Sequence, residues 1–160
     1  MNILLSATSK KGFQYEIREL TMDDLQSDSG FFKTLSGLTS APVIPLEKAC
    51  EIFQQFILAG KKVYVARSPE HGIVSTTTLM VEPKFIHGGQ PVGHIEDVVT
   101  LPEWEGHGIA TSLMNEAIKE AIGQGCYKII LDCSDENVSF YQKLCFQRCE
   151  IQMRRDLNKS

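Results

Sequence analysis

Between Val92 and Asp132 the chain spells a β-like run, a glycine turn, a long amphipathic helix and a second apolar run; no other feature limits its fold so strongly. The helical stripe is Ile109, Leu113, Met114, Ala117, Ile118, Ala121 and Ile122, spaced so that one face can be buried. Glu105-Gly106-His107-Gly108 leads into the helix, and Gly123 and Gly125 end it. Tyr127 to Asp132 (YKIILD) then reads as a short central strand. Such a helix needs a sheet to cover, and the flanking sequence supplies one. Phe13 to Leu20 alternates apolar and polar residues. Val63–Ala66 and Ile73–Val81 are strand-like around a turn at Ser68 to Gly72. A turn at His87 to Pro91 precedes the strand from Val92 to Leu101. Thr21, with Asp24 three residues on, is expected to start a helix. Pro45 and Gly60 bracket another, in which Leu46, Ala49, Cys50, Phe53, Phe56 and Ile57 recur at helical spacing. Asn137 to Cys145 is expected as a short helix and Glu150 to Arg154 as a last strand. The organisation is one α+β domain over residues 13–156, behind an N-terminal extension, residues 1–12, whose order the sequence leaves open.

At 160 residues, 42% hydrophobic and 22% charged, the chain has the composition of one ordinary globular domain. A net charge of −4 excludes a global positive field for nucleic acid or an anionic membrane, so an anionic substrate must be met by a few local cations. No apolar run approaches the roughly 20 residues that span a bilayer. Met1 to Ser6, followed by Lys10-Lys11, does not read as a signal peptide, and a cytoplasmic location is expected. The five cysteines lack C-x-x-C spacing, so no zinc or other metal site is expected, and the thiols are expected to be free and buried.

Three local features invite chemistry without fixing it. Backbone N–H groups and the helix dipole at Gly106 to Ile109 form a phosphate cradle, which glycine lets a ligand approach closely. The turn matches neither G-x-G-x-x-G nor G-K-[ST], and taken alone it also describes an unliganded tight turn. Glu96-Asp97 sits inside a β-like run where acids are depleted, and neighbours on a strand point to opposite faces, so one of the two should face the core. A solvated edge accounts for the pair, and so does a bulge beside a site. Asp132 ends its strand, as a helix cap or as a chemical group, and Lys128 within that strand calls for an anionic partner.

The order of strand, G-x-G/A turn, amphipathic helix, central strand and Asn137-x-x-x-Tyr141 helix resembles the acetyl-CoA-binding core of the GNAT acetyltransferase superfamily. Three segments, GHIEDVV (Gly93–Val99), CYKIILDC (Cys126–Cys133) and NVSFYQK (Asn137–Lys143), resemble one branch more narrowly, the glucosamine 6-phosphate N-acetyltransferases. The likeness runs from Tyr15 to Arg155 and is tightest from Gly93 to Phe146. It implies the GNAT fold, a mixed, mostly antiparallel sheet with splayed central strands flanked by helices. It also implies acetyl-CoA as co-substrate, with direct acetyl transfer to the C2 amine of glucosamine 6-phosphate in UDP-N-acetylglucosamine biosynthesis. Carried over residue by residue, Gly106, His107, Gly108, Ile109, Ala110 and Thr111 receive the pyrophosphate. Val98 and Val99 offer backbone contacts to acetyl-CoA, with Asn137 and Tyr141 also on the cofactor. Tyr141 lies beside the departing sulfur, while Asp132 and Glu96 orient the amine and accept its proton. Lys84, His87, Glu96, Asp97, Tyr127, Lys128 and Asp132 meet the sugar phosphate, joined by Arg154 from the second subunit of a homodimer. One departure stands out. The family pattern is R/Q-x-x-G-x-G/A with a second basic residue nearby, and Glu103 and Glu105 occupy those positions here. Each carboxylate costs about 1 kcal/mol against a solvated phosphate, so weakened cofactor affinity is expected. An acetyltransferase for another amine and a non-catalytic CoA-binding domain are the rival readings, the second supported by those two glutamates.

Overall fold

Two apolar layers form on the two faces of one sheet. The computed structural model describes residues 3–9 and 12–157 and falls into two compact units that divide between Ile130 and Leu131. Strands β1 (Ile3–Thr8), β2 (Gln14–Glu19), β3 (Lys62–Ser68), β4 (Gly72–Glu82), β5 (Val92–Thr100) and β6 (Lys128–Leu131) lie in the sheet in chain order. Neighbours from β1 to β5 are antiparallel. The Tyr127 amide donates to the Pro91 carbonyl at 3.0 Å, so β5 and β6 start side by side and run the same way. The sheet is therefore mixed, as the resemblance implied.

Helix α3 (Ile109–Gly123) covers one face. Its Ile109, Leu113, Met114, Ala117 and Ala121 are buried, and the Thr77 hydroxyl reaches the Met114 sulfur at 3.8 Å. Ile122, expected in the stripe, is exposed in the last turn. The other face carries α1 (Phe31–Leu35) and α2 (Leu46–Leu58). There Val63, Val65 and Ile73 of the sheet pack with Leu20, Leu25, Phe31, Phe32 and Ala49. Full burial of side chains of this size contributes about 1.5–3 kcal/mol each. On that balance α3, with five buried residues, is anchored more firmly than α2, which buries only Ala49 completely.

The sequence reading and the structure differ in several places, each for a physical reason. Ile3–Thr8, placed by the sequence in an extension outside the domain, form β1 and pair with β2; Met1, Asn2, Lys10 and Lys11 lie outside the described residues. Thr21 opens only one 3-10 turn, Met22–Leu25, because the Ser29 hydroxyl takes the Asp24 carbonyl at 2.6 Å, the acceptor a longer helix would use. The helix expected from Asn137 to Cys145 is a 3-10 turn followed by α4 (Val138–Gln142), in the second unit. Residues 150–154 form no strand; Ile151 and Met153 stand 86% and 89% exposed, and a strand needs a neighbour to pair with. Cys133, Cys145 and Cys149 are exposed and Cys50 and Cys126 half-buried, not buried as expected, because the chain around the first three is open to solvent.

Candidate active site

The acids of β5 sit on a β-bulge. Thr76 of β4 pairs with Val99 and Thr78 with Glu96, so Asp97 and Val98 together oppose the single residue Thr77. Asp97 takes up the extra length with φ of +52°, a left-handed conformation that Asp tolerates better than most residues. Glu96 and Asp97 are both exposed, which corrects the expectation that one faces the core. The bulge lets adjacent side chains share the solvent side. Val98 is half-buried and Val99 buried. Across the bulge the buried Thr76 hydroxyl has no hydrogen-bond partner.

Thr100 is followed by a 3-10 turn, Pro102–Trp104, and then by the glycine turn. Gly106 and Gly108 have φ of +74° and +83°, and a Cβ built on either meets no atom within 4 Å. Their outer side is open, room that a phosphate can fill. Gly108 caps α3, and by helix geometry the amides of Ile109, Ala110 and Thr111 have no acceptor within the helix. His107 turns the other way, inward, and is 4% exposed. These residues fit the diphosphate of a CoA ester.

At the opposite end of β5 the His87 and Tyr127 rings stack with centroids 4.1 Å apart, and the Lys128 ammonium lies 5.6 Å from the Tyr127 ring centre. Lys128 makes no ion pair among the described residues; it is exposed and needs none from the protein. Lys84 binds Glu82 at 2.6 Å, and His94 binds the same carboxylate at 2.9 Å. Hydrogen bonds from Lys84 and then His94 hold the Glu82 carboxyl below the usual range. His87, Tyr127 and Lys128 thus lie together, whereas Lys84 is engaged by Glu82, a residue that sequence reasoning passed over.

In the second unit Asp132 follows β6 directly and accepts a hydrogen bond from Gln152. Asn137 donates to Ser134 at 3.2 Å. Tyr141 of α4 is buried, edge-on to Phe140 and Phe146. Burial, and then the nearby Cys133, push the Tyr141 hydroxyl above its ordinary pKa, so it is an O–H donor throughout the neutral range. Arg154 pairs with Asp156 at 2.6 Å and is exposed. Burial pushes the Cys126 thiol up, away from the reactive thiolate. Among the described residues no three His, Cys, Asp or Glu side chains could hold a metal ion, and no helix is long and apolar enough to cross a membrane.

Sequence reasoning missed the supports of the glycine turn. Phe13 lies 4.7 Å from Trp104 and 5.4 Å from His107 between ring centres, and the Tyr15 hydroxyl is 3.3 Å from that of Ser112 on α3. Nothing local marks these pairs, since their members lie some 90 residues apart along the chain.

The family model described as the acetyltransferase (GNAT) family matches residues 19–146. The glucosamine 6-phosphate N-acetyltransferase of Trypanosoma brucei brucei is 40% identical over 144 residues, 89% of this chain and 95% of that protein. A probable glucosamine 6-phosphate N-acetyltransferase of rice is 33% identical over 153 residues, 92% of this chain and 91% of the relative. The crystal structure of glucosamine-6-phosphate N-acetyltransferase from Arabidopsis thaliana superposes with a TM-score of 0.85 at 30% identity, covering 90% of this chain and 99% of that one.

Proposed function

The chain belongs to the acetyltransferase (GNAT) family, and we propose that it transfers acetyl from acetyl-CoA to the C2 amine of D-glucosamine 6-phosphate. One observation carries the reading. The open glycine cradle at the start of α3 and the bulge that turns Glu96 and Asp97 to solvent flank the same stretch of chain, Glu96 to Thr111. Phosphate donors and sugar-binding carboxylates thereby share one strand–turn–helix unit. The names of the relatives, similar along nearly their whole length, supply the substrate.

Acetyl-CoA supplies the thioester. The residues of this chain orient the amine, polarise the carbonyl and hydrogen-bond the leaving sulfur. Gly106 to Thr111 bind the diphosphate through backbone amides. Backbone N–H groups near Val98, beside the bulge, would polarise the thioester carbonyl. Asp132, with Glu96, orients the amine and takes its proton directly or through water. Tyr141 offers its O–H as a hydrogen bond to the departing thiolate, and burial keeps that proton in place. The amine itself is the nucleophile, so transfer is direct and without an acyl-enzyme. His87, Tyr127 and Lys128, with Lys84, receive the sugar and its phosphate.

The proposal includes a homodimer in which Arg154 serves the neighbouring site. Ile151 and Met153 are exposed and alternate with Gln152 and Arg154, up to the charged pair Arg154-Arg155, the pattern of a short strand that still lacks a neighbour. It also includes a role in making UDP-N-acetylglucosamine and a cytoplasmic setting, in which exposed thiols such as Cys133 and Cys149 persist.

The test is thiol release from acetyl-CoA with glucosamine 6-phosphate, glucosamine and peptide amines side by side. A strong preference for the phosphorylated sugar is expected. Equal rates with and without the phosphate would overturn the substrate assignment, and CoA binding with no release from any amine would point to a non-catalytic domain.

A further inference from the structure

Glu103 and Glu105 stand where a CoA diphosphate would otherwise find positive charge, so backbone amides must carry its affinity. Amides carry it only if they are held in place. The contacts beneath the glycine turn come from the far edge of the sheet. Ser9 and Phe13 close the β1–β2 hairpin by exchanging hydrogen bonds, Ser9 amide to Phe13 carbonyl at 2.8 Å and Phe13 amide to Ser9 hydroxyl at 3.1 Å. The Phe13 ring then rests on Trp104 and on the inward-turned His107, while His71 meets Trp104 edge-on at 5.5 Å. Alongside, the Tyr15 and Ser112 hydroxyls are 3.3 Å apart, and Ser112 Oγ donates to the Gly108 carbonyl at 3.2 Å. The turn is thus pinned on its inner side at His107 and Gly108, while the outer sides of Gly106 and Gly108 stay clear.

We propose that the β1–β2 hairpin is a working part of the acetyl-CoA site, in which Phe13 and Tyr15 are positioning residues that hold the Gly106–Thr111 amides toward the diphosphate. Neither touches the cofactor. Each acts through the turn, Phe13 by filling the space under His107 and Tyr15 by fixing Ser112 and through it the Gly108 carbonyl. A misplacement of donors by about 1 Å is enough to lose much of a site's binding. This inference rests on the acetyl-CoA half of the function proposed above and is independent of the sugar.

The experiment compares Phe13→Leu, Tyr15→Phe and Phe13→Tyr. CoA binding is measured by calorimetry, and turnover is measured with acetyl-CoA and with S-acetylpantetheine, which lacks the diphosphate and nucleotide. Phe13→Leu is expected to raise the CoA Kd about tenfold and Tyr15→Phe about threefold, with KM for acetyl-CoA following and kcat little changed. Phe13→Tyr, which keeps the ring, is expected to restore affinity. The rate with S-acetylpantetheine should not follow the loss. An unchanged CoA Kd in both Phe13→Leu and Tyr15→Phe overturns the proposal, as do equal losses with the two thioesters, which would mark a general structural defect. A wild-type protein that binds CoA but ignores glucosamine 6-phosphate would count against the substrate and leave the anchor to be decided by binding alone.

Discussion

Tyr141 and Asp24 are both buried and titratable, and they serve different ends. Tyr141 keeps its proton because burial disfavours the phenolate, so its hydroxyl is a hydrogen-bond donor, which is what the proposed role beside the leaving sulfur requires. Tyr141→Phe keeps the ring against Phe140 and Phe146 and removes the donor. Its kcat is expected to fall about a hundredfold with CoA affinity unchanged, checked by steady-state kinetics beside calorimetry. Asp24 grips Arg18 through two hydrogen bonds of 2.6 and 2.7 Å and accepts two more from Thr21. Burial alone would raise its pKa, but the bonds from Arg18 and Thr21 more than offset this and hold the carboxyl below its usual range. A depressed folded pKa means that the stabilisation is complete above the unfolded value, about pH 4, and is lost as pH falls through the folded one. Asp24→Asn strands a guanidinium that is 1% exposed and is expected to cost about 3 kcal/mol at pH 7 in urea unfolding, with a weaker dependence on acid below pH 4.

At the scale of elements the bulge in β5 does two jobs. Ile95 pairs with Leu79 on the α3 side of the sheet, and Val99 pairs with Thr76 on the α1 side. Four residues apart on a regular strand, both would face the same layer; one extra residue lets a single strand feed both cores. Deleting Asp97 would remove the bulge, leaving Val98 alone opposite Thr77 and Val99 still opposite Thr76. Such a variant is expected to keep the sheet but lose activity in the acetyl-transfer assay, because one acid and the local conformation beside it are gone, whereas Asp97→Asn, which tolerates the same φ, should fold normally by thermal melting. Much of this was legible in the sequence. The α3 stripe and the strands from Val63 to Leu101 follow from periodicity, and the improbable Glu96-Asp97 pair marks an irregularity for which a bulge is one of two explanations. What escaped depends on distant partners. Gly106 and Gly108 mark the turn, but only the folded chain brings Phe13 and Tyr15 beneath it. The one-turn helix at Met22 is shortened by a competing hydroxyl five residues away. The 150–154 run alternates like a strand and forms none, since alternation says that a segment can pair and not that a neighbour is present.

For the whole molecule, the shared-site reading makes activity a property of two chains. Arg154→Ala and Asp132→Asn are each expected to inactivate, and mixed heterodimers should recover up to about one quarter to one half of wild-type turnover, since one of the two sites keeps both residues. Absence of recovery in heterodimers verified by light scattering would remove the exchange of Arg154. The strand order of the sheet carries a different consequence. Because β1 to β6 sit side by side in the order in which they are made, each strand leaving the ribosome finds its neighbour already waiting. The β1–β2 hairpin is therefore made before the glycine turn that it contacts, and the segment bearing Arg154 follows every strand of the sheet.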